Sequence, residues 1–303
     1  MTGVSVAESI EDKVRQLTII ALVSDDALME KLVLKGGNAI PFYGGDAPVR
    51  RSLDLDFSLD GDLGPIEKEA EKMERLLRQT LKPERLEVFD VRLEKAPPGI
   101  EMDTLGDFWG GYTLEFKVLS AEDFGRLAGK PEKRSLQAIE SSPGGKRTFT
   151  VDMSRHEHCK GKVPKKVGGF TVFVYSPTML ACEKIRAICQ QMEEYRRVVE
   201  SKSRRPRARD FYDIHALTTQ CGVKLDGDEA WEHIKACFSA KRVPLSLLGR
   251  ISAEREFHRE NFQSVRDTVP RAVALRDFDF YVEHLVDGIA PLQPRWETDP
   301  PVG

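Results

Sequence analysis

Apolar residues at near-helical spacing open the chain: Val14, Leu17, Ile20, Ala21 and Leu28 predict helix through the first thirty residues. A short strand, Leu32 to Leu34, comes next. The pair Gly36-Gly37 then opens a short helix, Asn38 to Tyr43, and a Gly/Asp/Pro loop leads to an alternating strand, Leu53 to Leu59. Charged helix is expected from Pro65 to Leu81, strands over Leu86 to Leu93 and Tyr112 to Leu119, and helix again from Ala121 to Gly145. Two further strands, Thr148 to Met153 and Thr171 to Tyr175, flank a basic loop.

Beyond them the pattern turns helical. Ser176-Pro177 gives an N-cap and a proline at the first helical position of a helix expected to reach about Glu200. A basic run interrupts it, Asp210 begins another helix that stops near Gly222, and helical periodicity continues to about Ile289. The tail PLQPRWETDPPVG is expected to fray. The whole predicts an α/β (α+β) chain, with a mixed sheet in residues 1–175 and a helical half, 176–303, completing a cleft.

Composition narrows the setting. No apolar run approaches the ~18–20 residues that span a bilayer, so no membrane association is expected. The first residues carry acids and no signal-peptide pattern, which places the chain in the cytoplasm. Five scattered cysteines fit reduced thiols. The net charge of −3 conceals a basic run, Lys202, Arg204, Arg205, Arg207 and Arg209, and leaves a nucleic-acid partner open.

Candidate chemistry centres on Asp54 and Asp56. Residues i and i+2 of a strand share a face roughly 7 Å apart, close enough for both carboxylates to hold a divalent cation. An exposed edge strand with solvated acids is the plain alternative. The preceding Gly-Gly turn, with Arg51 and Ser52, adds phosphate donors beside the acids. Asp152 interrupts an apolar strand and is a candidate third carboxylate, able to take a proton from an attacking hydroxyl, unless its register turns it to solvent. Lys184 sits at the edge of an apolar stripe, either reaching a phosphate or snorkelling. Asp210 and Asp213 share a helical face and could position Lys184 or contact the nucleotide, although Asp210 also suits an N-cap. The basic run reads as a solvated loop or as a phosphate-backbone contact overhanging the cleft. Zinc at His156-Glu157-His158-Cys159 is rejected, because adjacent residues cannot supply tetrahedral ligands.

The segments LKGGNAI (34–40), RRSLDLDF (50–57), CEKIRAI (182–188) and RARDFYDIHAL (207–217) occur in an order that resembles the AbiEii family. That family of nucleotidyltransferase toxins includes the MenT toxins and belongs to the DNA polymerase β-type nucleotidyltransferase superfamily. The resemblance implies a nucleotidyltransferase fold, with Gly36 and Gly37 at the triphosphate and Asp54 and Asp56 on Mg²⁺. It makes Lys184 the family's helical lysine and Asp210, with Asp213 near it, the late aspartate motif. Asp152 would be the third carboxylate. Asn38 stands where the family often has Ser or Thr, which would change how the β- and γ-phosphates are held. The implied activity is transfer of NMP from an NTP to a tRNA 3′ end, in a toxin–antitoxin or phage-defence setting with a cognate antitoxin. Arg204, Arg205, Arg207 and Arg209 are the candidate RNA contacts. A transferase for a small molecule or a protein hydroxyl, and a non-catalytic nucleotide-binding module, are the competing readings.

Overall fold

A seven-stranded mixed sheet carries the first half of the chain, in the order β3-β4-β5-β2-β1-β7-β6. The computed structural model describes residues 9–43, 52, 54–97, 107–142, 144–200, 203–270 and 272–298. The strands are β1 (Leu32–Lys35), β2 (Leu55–Leu59), β3 (Leu86–Ala96), β4 (Gly111–Ser120), β5 (Phe149–Ser154), β6 (Val163–Val167) and β7 (Phe170–Val174). Pairing is parallel between β1 and β7 and between β2 and β5, and antiparallel elsewhere. Central strands are buried and read as apolar runs, as for β1, where all four residues are buried.

Helices α1 (Ile10–Val23), α2 (Asp26–Lys31) and α3 (Ile66–Leu81) belong to this half, as do the short α4 (Ala121–Arg126) and α5 (Pro131–Gln137). Ser24 ends α1 and the Asp25 side chain caps α2, so the first thirty residues form two helices and not one. The helix expected from Ala121 to Gly145 is likewise split. Pro131 starts α5, because it lacks the N–H that continuation of α4 would need.

The second half holds α6 (Pro177–Cys189), α7 (Ala208–Gln220), α8 (Asp228–Ala240), α9 (Arg255–Arg259), α10 (Gln263–Arg266), α11 (Phe278–Ile289) and α12 (Gln293–Thr298). Ser176 caps α6 by accepting from the Met179 N–H. This helix is buried almost all round, with α7 and α8 packed against it. It stops at Cys189, well short of Glu200. The charged run that follows has one large side chain to bury, Tyr195, and does so in a 3-10 turn (Glu193–Arg197) with the Tyr195 hydroxyl donating to the Lys241 carbonyl.

Two segments read as irregular are ordered elements. Val163–Val167 is the edge strand β6, its alternation hidden by Pro164, Lys165 and Lys166, residues that protect an exposed edge from further pairing. The described part of the tail forms α12, anchored by buried Leu292 and Trp296, while residues 299–303 lie outside the described residues. One cluster of buried side chains runs from Val14 to Trp296, so both halves share a core.

Gly111 fixes how closely β4 approaches β5. A Cβ there would stand 2.1 Å from the Met153 carbonyl oxygen, a main-chain atom that cannot swing away. Gly111→Ala should therefore destabilise the protein by about 2 kcal/mol or more, read as a lowered urea midpoint with an unchanged m-value.

Candidate active site

Strand register decides which polar groups meet. Lys35 lies opposite Asp56, Asp56 opposite Asp152, and Asp152 opposite Thr113. Cross-strand partners share a face, so these residues form one polar row across β1, β2, β5 and β4. The alternate positions Leu34, Leu55, Phe57, Val151 and Met153 are buried in the core. Thr113 Oγ1 donates to Asp152 Oδ1 at 2.8 Å and orients that carboxylate. Asp54, just ahead of β2, is exposed, whereas Asp56 is half-buried.

The glycine turn closes on this row. Gly36 has φ +67°, and a Cβ there would come within 2.6 Å of Asp56 Oδ2. Only glycine lets the main chain lie so near the carboxylate. Asn38 Nδ2 donates to the Asp54 carbonyl at 2.6 Å, and Ser52 Oγ donates to the same oxygen at 3.5 Å. Both side chains thus brace the backbone that presents Asp54.

The helical half supplies the facing charges. Lys184 Nζ lies 3.1 Å from Asp210 Oδ1 and 2.6 Å from Asp213 Oδ2, with all three side chains buried. The N-cap of α7 is Arg207, so capping does not account for Asp210, three residues on. Arg207 Nε instead pairs with Asp210 Oδ2 at 2.6 Å.

Sequence reasoning missed a second ionic cluster. Glu157 is ringed by Lys35 and Arg186 at 3.3 Å and Lys241 at 3.5 Å, and Arg186 also binds Glu183 at 2.8 Å. Glu157 belongs to the segment whose zinc reading is rejected above, and its neighbour His158 pairs instead with His233, ring nitrogens 3.2 Å apart. Lys35 did leave a signal, since it ends an apolar strand directly before the Gly-Gly turn. Arg186 left another, a charge inside the apolar stripe of α6.

Two cavities meet over the row. The smaller, about 230 Å³, is lined by Gly36, Gly37, Ser52, Asp54 and Arg209, with Lys184 and Asp210 behind them. The larger, about 620 Å³, is lined by Trp109, Asp152, Arg186, Gln190, Arg205 and Lys241. Lys35, Asp56, Glu183 and Arg207 border both. Asp213 lines neither and lies buried behind Lys184. Arg204 is also outside both cavities, contrary to its expected place at the cleft: it stacks on Phe257 at 4.2 Å and pairs with Glu254. Arg51 falls outside the described residues.

The electrostatics follow from this crowding. Burial, and after it the charges of Asp152, Glu183 and Asp54, push the Asp56 carboxyl up to about 6, with Lys35 opposing. Burial opposes ionisation of Glu157, but Arg186, Lys35 and Lys241 outweigh it and pull the group down to about 2. Burial also works against the Lys35 ammonium, yet Glu157 and Glu183 hold it above its ordinary value. Lys241, mainly through burial, is pushed down to about 8.

Asp54 and Asp56 suit Mg²⁺. This cation takes hard oxygens, keeps several waters and needs only one or two carboxylates when phosphates complete its shell. Among the described residues no group of three His, Cys, Asp or Glu side chains converges. A proton on Asp56 would compete with any cation there.

In the folded protein Asp56 holds its proton more tightly than in the unfolded chain, where it ionises near 3.8. Its charge therefore costs stability above pH about 6, and that cost fades as pH falls through about 6 to below roughly 4. Metal-free Asp56→Asn should be more stable than the parent at pH ~8, by about 1–2 kcal/mol, with the gain gone near pH ~4. Chemical denaturation at several pH values checks this, and a gain that does not vary with pH contradicts it.

The family described as nucleotidyl transferase AbiEii toxin, type IV toxin–antitoxin system, matches residues 20–297. No curated protein matches the chain. Among solved structures, MenT4, a nucleotidyltransferase toxin from Mycobacterium tuberculosis H37Rv, aligns at 16% identity over 96% of this chain and 88% of its own, with a TM-score of 0.49. JHP933 from Helicobacter pylori aligns at 14% identity over 95% of this chain and 92% of its own, with a TM-score of 0.44. An antigenic nucleotidyltransferase-like protein from Paracoccidioides brasiliensis aligns at 16% identity over 79% and 93%, with a TM-score of 0.34. These distant likenesses add nothing to the assignment, which rests on the family match along nearly the whole chain: the protein belongs to the AbiEii family of nucleotidyltransferase toxins of type IV toxin–antitoxin systems.

Proposed function

We propose that this protein transfers a nucleoside monophosphate from an NTP to an RNA hydroxyl, with the tRNA 3′ end as acceptor, in a Mg²⁺-dependent (EC 2.7.7-type) reaction. The observation that carries the reading is how three carboxylates divide between two joined cavities. Asp54 lines only the smaller, Asp152 only the larger, and Asp56 both. That division suits an in-line nucleotidyl transfer, in which the attacking hydroxyl and the leaving pyrophosphate lie on opposite sides of the α-phosphorus.

The smaller cavity, below the usual size of a whole-ligand pocket, suits a phosphate chain. Gly36 and Gly37 give it main-chain walls, and Arg207 and Arg209 give it guanidinium donors with the fork geometry that phosphate oxygens accept. Mg²⁺ held by Asp54 and Asp56 would neutralise charge building on the phosphate oxygens. Lys184 acts through its aspartates: it holds Asp210, and Asp210 holds Arg207 at the junction of the cavities.

The larger cavity takes the acceptor. Asp152, with one oxygen bonded to Thr113, receives the proton of the hydroxyl on its other oxygen as the new P–O bond forms. The bond from the α-phosphorus to the bridging oxygen breaks and pyrophosphate leaves. Arg205 and Arg207 on this wall favour a polyanionic acceptor. A cognate antitoxin is the protein partner that the family's setting implies. Among the described residues no helix is long and apolar enough to cross a membrane.

Incubation with Mg²⁺, each α-labelled NTP in turn and total RNA should put label into tRNA. Asp54→Ala and Asp56→Ala should abolish the label and relieve growth inhibition together. No transfer with any NTP would sink the reading, and toxicity that survives in the aspartate variants would point to a non-catalytic module. Replacing Arg205 and Arg207, the two arginines of the larger cavity, by Gln should weaken RNA binding at least ~10-fold and flatten its salt dependence by about one unit of slope per lost phosphate contact. An unchanged salt slope would favour a small-molecule or protein acceptor.

A further inference from the structure

The basic segment does not hang loose across the cleft. It is held from the side by α9 and the residues just before and after it. Glu254 pairs with Arg204, Phe257 stacks on the same guanidinium, and Asn261 Nδ2 donates to the Pro206 carbonyl at 3.5 Å. At the centre of this clamp is His258, fully buried, whose Nδ1 accepts the main-chain N–H of Arg207 at 3.0 Å.

His258 is an unusual occupant of that place. Phe211 and Phe257 lie with ring centroids 5.3 and 5.1 Å from the imidazole, so packing alone would be served by another phenyl ring. Accepting at Nδ1 puts the imidazole proton on Nε2. That atom is buried with no hydrogen-bond partner among the described residues, a loss on the order of 1–3 kcal/mol. Burial, with Arg207 and Arg204 adding to it and Asp210 opposing, pushes the group down to about 4, so it stays neutral at ordinary pH. What the imidazole offers and a phenyl ring lacks is the acceptor for Arg207. Arg207 is the N-cap of α7, at φ −125° and ψ 37°; its carbonyl accepts from the Asp210 N–H at 2.9 Å, whereas its own N–H has no helical partner and is held by His258 instead.

We infer that His258 is a positioning residue of the nucleotide site: its Nδ1 fixes the Arg207 main chain and so aims the guanidinium that borders both cavities. The inference rests on Arg207 as a phosphate ligand. His258 touches no substrate. It acts on one side of Arg207 while the Lys184–Asp210 pair acts on the other.

The test is calorimetric binding of Mg²⁺-tripolyphosphate, a probe common to every NTP, to the full chain. Arg207→Ala should weaken it about tenfold, as loss of a charge-assisted phosphate contact does. His258→Phe, which keeps the ring and removes the acceptor, should weaken it about fivefold. His258→Asn, with its oxygen in the place of Nδ1, should stay within about twofold of the parent, whereas His258→Gln, with its oxygen in the place of Nε2, should lose affinity as Phe does. In an Arg207→Ala background His258→Phe should change affinity by less than about twofold, because the group it aims is gone. Losses that multiply in the double variant would make His258 a general structural residue and overturn the inference, as would equal behaviour of Asn and Gln. If His258→Phe does not fold, the Asn and Gln pair decides the matter. Parent-like binding by Arg207→Ala is a separate result, which would remove the phosphate role of Arg207 itself.

Discussion

Asp56 has Lys35 beside it on one strand and Asp152 on the other, and the rest of the structure answers that placement. Two carboxylates on neighbouring central strands repel, and burial makes the charge on Asp56 harder to hold. The sheet cannot relieve this by sliding. A one-residue slip of β2 would turn Asp56 into the core and expose Leu55 and Phe57. Compensation comes from Lys35 on β1 and, from the second half, from Arg207 over the row.

The compensation also joins the two halves. Glu157, just beyond β5, meets Arg186 of α6 and Lys241 beyond α8, while Lys35 links that cluster to the row. Buried ion pairs of this kind are poor sources of net stability, since desolvation offsets attraction. Their value here is positional. Breaking one would leave an unpaired charge inside the protein, so the helical half has few places to sit other than over the carboxylates. The cleft is thus a consequence of charge pairing as much as of apolar packing.

This explains what was legible in the sequence. The Gly-Gly turn, the aspartate pair, Lys184 and the late aspartates are local spacings on predictable elements, and each is found at the cleft or directly behind it. Strands β2, β5 and β7 and the start of α6 showed in periodicity and capping for the same reason. Lys35, Thr113, Glu157 and Lys241 acquire meaning only through contacts distant in sequence. No local pattern distinguishes a lysine that faces Glu157 from one that faces water. The end of α6 is not legible, because a charged run such as EEYRR favours helix by propensity, whereas the segment forms a tighter turn that buries Tyr195.

The basic run shows the same limit from the opposite side. Read as charge alone, its arginines are interchangeable, and all were expected at the cleft. Folding sorts them by their partners. Arg204 is consumed by Glu254 and Phe257, Arg207 is aimed by Asp210 and by the acceptor beneath its main chain, and Arg205 and Arg209 take one cavity each. An arginine already paired with a carboxylate attracts an anion less than an unpaired one does. It loses little further freedom when the anion arrives, however, and a transferase that must hold a phosphorus in line gains more from that order than from raw attraction.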